Sequence, residues 1–107
     1  MNYLQKAEKA LEYLQQTEEQ YAQYKALLKF QSERFKALLA RLMSESLETT
    51  EAGRKRDAEA SEAYEKLTDE AIEIAEEYYT LEAKRQRAEL TIEFWRSLNS
   101  AQKRGNP

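Results

Sequence analysis

The sequence predicts an all-α fold: a long antiparallel two-helix coiled-coil hairpin that pairs with a second copy into a four-helix bundle. Three observations point there. The chain of 107 residues holds two glycines and one proline, and before residue 105 Gly53 is the sole glycine, so little interrupts helix. Apolar residues recur every seven positions in two long stretches. Charge is segregated along the chain so that opposite signs meet when it folds back on itself. No useful run of alternating apolar and polar residues occurs, so no strand is expected.

The first helix is read over about residues 2–51. Ala7, Leu14, Tyr21, Leu28, Phe35 and Leu42 form its stripe. A flanking row of Leu4 and Leu11 supports the stripe early, and Tyr24, Leu38 and Leu39 support it later. A stripe that drifts sideways is what a 3.6-residue helix does against a 3.5-residue repeat. The second helix is read over about residues 57–102. Ala60, Leu67, Ile74, Leu81, Ala88 and Trp95 recur every seven, interleaved four residues on by Tyr64, Ala71, Tyr78, Arg85 and Ile92. This is an a/d heptad with one polar intruder, Arg85.

Between them, residues 52–56 are expected to turn. Gly53 suits the left-handed position just past a helix end, Asp57 suits an N-cap, and Arg54, Lys55 and Arg56 would sit beside the carbonyl end of the first helix, where cations are favoured. Residues 103–107 are expected to fray. The whole is a single domain, 1–107.

Residues 57–82 hold ten acids and one base, a net of −9, and residues 83–104 hold six bases and two acids, a net of +4. Residues 2–23 hold four acids and two bases, and residues 24–50 hold five bases and three acids. Each exposed pair contributes little, roughly 0–1 kcal/mol, but the pattern favours an antiparallel partner. Folding at Gly53 places Leu42 near Tyr64 and Leu67, and Arg85 near Glu18 and Tyr21, where a salt bridge or cation–π contact would form a polar layer.

Much chemistry is excluded. There is no histidine and no cysteine, hence no imidazole base, no Ser–His or Cys–His pair, no thiolate metal site and no disulfide. Two glycines cannot build a phosphate-binding loop. No catalytic residue, cofactor or metal is assigned, and the expectation is a protein that is not an enzyme. No apolar run approaches the roughly 20 residues that span a bilayer, and the N-terminus lacks the apolar core of a signal peptide. The expected location is the cytoplasm.

The apolar surface exceeds what one seam needs. Tyr13, Leu27, Phe30, Ile72, Tyr79, Leu90 and Phe94 lie off the main stripes and are read as a partner-binding face, for a second copy or for another protein. The function expected is protein–protein interaction, as an adaptor, accessory factor or inhibitor. The alternative is a nucleic-acid-associated accessory protein of replication or recombination using Lys84, Arg87, Arg96, Lys103 and Arg104, with Phe94 and Trp95 among them. A net charge of −3 weighs against that alternative.

The stretch EAKRQRAELTIEFWRSLNSAQKRGNP, with its Glu93-Phe94-Trp95-Arg96-Ser97 cluster, resembles the C-terminal ends of small helical accessory proteins encoded by bacteriophages. That resemblance covers about a quarter of the chain and carries no functional residue. It implies a small non-enzymatic protein acting on host or phage machinery near DNA replication or recombination.

Overall fold

The computed structural model describes residues 2–105. The fold is an all-α helical hairpin, with no strand among the described residues. Four helices follow in order: α1 (Tyr3–Lys29), α2 (Gln31–Glu45), α3 (Glu51–Glu59) and α4 (Glu62–Gly105). They divide into two compact units. The first joins the residues up to Gln23 with those from Tyr78 onward; the second is Tyr24–Glu77.

Local chemistry sets each helix end. Asn2 caps α1 reciprocally with Gln5: Asn2 Oδ1 accepts from the Gln5 amide at 2.8 Å and Gln5 Oε1 accepts from the Asn2 amide at 3.1 Å. This is the logic of a capping box. The first predicted helix divides at Phe30, whose φ of −99° and ψ of 14° leave the helical well. Hydrogen bonds from Phe30 to Ala26 O and from Arg34 to Phe30 O continue across the break.

The chain reverses at residues 46–50, between α2 and α3, and not at residues 52–56. Ser46 and Thr50 are extended, with ψ of 142° and 153°. Thr50 then caps α3, its Oγ1 accepting from the Gly53 amide at 3.0 Å. Asp57 is therefore no N-cap; its carboxylate accepts from Ser46 Oγ at 2.7 Å and ties the two ends of the reversal together.

Gly53 lies inside α3, and no glycine among the described residues has positive φ. Its purpose is space. A Cβ there would meet Thr50 Oγ1 at 2.9 Å and Glu48 Cβ at 3.3 Å, so a side chain at this position would crowd the cap and force its neighbours to shift. Arg54 follows the cap and donates from Nε to the Glu48 carbonyl at 2.9 Å, while Lys55 approaches Glu59 one turn on within α3, at 4.0 Å. These bases thus serve the reversal and α3.

A second division falls at Ala60 and Ser61, within the predicted second helix. Ser61 Oγ accepts from the Tyr64 amide at 3.2 Å and donates to Ala58 O at 2.6 Å, ending α3 and starting α4. Helix α4 runs through Gly105, three residues beyond the predicted end at 102. Lys103 and Arg104 occupy its last turn, where the helix dipole favours cations. Residues 106 and 107 lie outside the described residues.

Each unit has its own thin seam. In the first, Ala7, Ala10, Tyr78, Leu81 and Ala88 are buried. Tyr3 meets Phe94 edge-on with ring centroids 5.4 Å apart, and Tyr21 stacks on Tyr78 at 5.4 Å with planes only 8° apart. In the second, Ala58 and Ile74 are buried, Phe35 meets Tyr64 edge-on at 5.4 Å, Arg34 pairs with Glu70 at 3.1 Å and Tyr24 donates to the Glu77 carboxylate. Tyr64 therefore faces Phe35, two turns before the Leu42 expected from a fold at Gly53. The earlier reversal causes the difference, because in this unit it brings Tyr64 of α4 against an earlier residue of α2.

Candidate functional site

The first unit carries two grooves, both formed where the N-terminal part of α1 runs antiparallel to the C-terminal part of α4. At about 100° per residue, Leu4, Glu8 and Leu11 lie on the side of α1 opposite Lys6, Lys9 and Tyr13. The grooves therefore flank the seam.

One groove is apolar. It encloses about 500 Å³ between Leu4, Ala7, Leu11 and Leu14 of α1 and Ile92 and Trp95 of α4, with Glu8, Glu89, Glu93 and Arg96 at its margin. Leu4 is 48% exposed and Leu11 51%. Four of these residues, Ala7, Leu14, Ile92 and Trp95, belong to the period-seven stripes, so the seam here is open along one side. Leu14 lies in this groove with Ile92 and Trp95. At its margin Arg96 pairs with Glu93 on the same helix at 2.9 Å.

The other groove is basic. It encloses about 440 Å³ and is lined by Lys6, Lys9, Ala10 and Tyr13 from α1 and Lys84, Arg87, Ala88 and Thr91 from α4. No carboxylate lines it, and none of the four cations forms an ion pair among the described residues. Lys6 lies over the Tyr3 ring at 5.5 Å. The charge pattern leads one to expect that the bases of α4 answer the acids of residues 2–23. Instead Lys84 and Arg87 share this groove with the two bases of that segment.

Further along the same seam, Arg85 fills the polar layer. Its Nη1 donates to the Leu14 carbonyl at 2.8 Å and to Thr17 Oγ1 at 2.6 Å, and its guanidinium lies 4.7 Å from the centre of the Tyr21 ring. The expected cation–π contact with Tyr21 is there. The hydrogen-bond partner is Thr17, one residue before the expected Glu18, which points to solvent. The Tyr78 hydroxyl lies 3.4 Å from that of Tyr21. Hydrogen bonding to Tyr21 and to Glu82, with burial, pushes its phenol well above the ordinary tyrosine range.

The residues assigned to a partner-binding face separate into several places. Leu27, Phe30 and Ile72 are exposed in the second unit, while Tyr79, Leu90 and Phe94 are exposed in the first. Tyr13 is half-buried and lines the basic groove. Phe94 is engaged with Tyr3, and Tyr79 meets Tyr78 edge-on at 5.2 Å. The basic residues separate as well: Lys84 and Arg87 line the basic groove, whereas Arg96 and Arg104 line a shallow depression with Ser97, Ser100 and Ala101. Sequence reasoning missed Lys6 and Lys9 as members of a basic site, and Leu4 and Leu11 as exposed groove residues.

Among the described residues no cluster of acidic side chains could hold a metal ion, and no helix is long and apolar enough to cross a membrane. No family model, curated protein or solved structure matches the chain.

Proposed function

We propose that this chain is a non-enzymatic protein–protein interaction module whose first partner is a second copy of itself. The observation that carries this reading is the apolar groove. Its walls are the coiled-coil repeat itself, exposed at Leu4 and Leu11 and anchored by Trp95. A surface built from a repeat is complemented by the same repeat in another copy, related by a two-fold axis. Two hairpins joined in this way form a four-helix bundle. Such a dimer in the cytoplasm would serve as an adaptor, accessory factor or inhibitor of the kind that the phage resemblance implies, with its charged flanks free for a further protein.

Trp95 is the sole tryptophan and reports directly on the groove. Raising the protein concentration should shift its emission to shorter wavelength as the groove closes. Leu11→Glu, at an exposed position, should abolish the shift while leaving helicity unchanged. Emission that does not depend on concentration in the unmodified protein would refute self-association through this groove.

A further inference from the structure

The basic groove has a different occupant. We infer that Lys6, Lys9, Lys84 and Arg87 form a binding site for the phosphodiester backbone of a single-stranded nucleic acid. This inference is independent of self-association, which uses the other side of the seam.

Four observations converge on it. Four cations from two helices line one groove of about 440 Å³, and no carboxylate enters it. Elsewhere some bases are paired: Arg34 with Glu70, Lys66 with Glu62 and Arg96 with Glu93. The unpaired cations repel one another, and a bound polyanion would relieve that repulsion. The floor is formed by Ala10 and Ala88, both buried, so the walls stand above a smooth base that a narrow chain can approach. From Lys6 to Tyr13 the groove runs about 10 Å, seven residues at about 1.5 Å each. Tyr13 brings a phenol to the groove, whereas the Thr91 hydroxyl is engaged with the Arg87 carbonyl at 3.0 Å.

Aromatic rings decide between a nucleic-acid strand and an acidic protein segment. Tyr13 lines the groove, and beyond Lys6 lie Tyr3 and Phe94, which are 53% and 52% exposed. Stacking on such rings holds bases beside a cationic track, and a carboxylate-rich helix would leave them unused. Single strands expose both the phosphates and the base faces that this combination fits. A duplex offers only the phosphates.

The test is anisotropy of fluorescein-labelled oligothymidine across a salt series with the full chain. At about 0.7 counterion released per phosphate contact, four cations give a log–log slope of about −3, a loss of about 50-fold between 50 and 200 mM salt. Lys6→Gln with Lys9→Gln, or Lys84→Gln with Arg87→Gln, should each halve the slope, leaving a loss of about sevenfold over the same range. Lys103→Gln with Arg104→Gln, outside the groove, should leave the slope unchanged. All six side chains are exposed, so helicity should hold throughout. Oligouridine should show the same slope, because the contacts are to phosphate. The assignment is overturned by no binding at the lowest salt, by a tail variant that lowers the slope as much as a groove variant, or by polyglutamate displacing the strand as effectively as unlabelled oligothymidine.

Discussion

Replacing Gly53 with alanine tests the chain reversal directly. Gly53 is helical, so alanine should gain the helix propensity that glycine lacks, about 1 kcal/mol. Against this stands the approach of 2.9 Å between the added Cβ and Thr50 Oγ1. The threonine must turn away and give up its bond to the residue 53 amide, which costs about 1 kcal/mol, the usual value of an N-cap. Gly53→Ala alone should therefore be nearly neutral. Thr50→Ala alone should destabilise by about 1 kcal/mol. In the Thr50→Ala background the oxygen is absent, and Gly53→Ala should then stabilise by nearly 1 kcal/mol. A double-mutant cycle read by urea unfolding should thus show a coupling of about 1 kcal/mol. If Gly53 instead occupied a left-handed turn, alanine would destabilise in both backgrounds with no coupling to Thr50. That result would refute the placement of the reversal at residues 46–50.

Other substitutions probe the two seams. Arg85→Ala removes two hydrogen bonds and a cation–π contact and should lower unfolding free energy by about 2–3 kcal/mol, whereas Glu18→Ala should change it by less than about 0.5 kcal/mol; thermal melts of the two variants settle the comparison. Ile74→Asp places a carboxylate at a buried position and should abolish the cooperative melt followed by circular dichroism. Gln31→Leu should stabilise by about 1 kcal/mol in urea unfolding, because both polar atoms of the Gln31 amide are buried without a hydrogen-bond partner. The raised Tyr78 phenol favours the folded state below pH 10.0, the ordinary tyrosine value. Its contribution is lost as pH rises above that value, because the unfolded chain releases the proton first; Tyr78→Phe should flatten the alkaline decline in Tm.

The heptad was legible where it was most regular. Ile74, Leu81 and Ala88 are buried as the seven-residue spacing requires, and Arg85 is the polar member of the first unit's seam. The reversal was harder to read because glycine is the strongest punctuation in a chain that has so little. The actual signals were Thr49-Thr50, β-branched and able to cap, with Ser46 able to reach Asp57. Neither break at Phe30 or at Ala60-Ser61 carries a glycine or proline, and Ser61 as a local cap was the available clue. The register followed the misplaced turn, so Tyr64 was assigned Leu42 in place of Phe35.

The two grooves were legible only in part. Lys6 and Lys9 are a minority among the acids of residues 2–23, and counting net charge by segment hid them. A helix distributes charges around its axis, and the antiparallel register then gathers one side of α1 against one side of α4. Lys84 and Arg87 were singled out in sequence for their basic context, but their companions come from the other end of the chain. Leu4 and Leu11 were read as support for the seam. With Ala7 and Ala10 as the buried members of α1, the small side chains fill the contact and the leucines remain at its edge.

The central functional claim is self-association, and solution mass measures it most directly. Light scattering on a sizing column across a concentration series should give twice the 12.6 kDa chain mass, falling toward the monomer for Leu11→Glu. A monomer at every concentration would contradict the account.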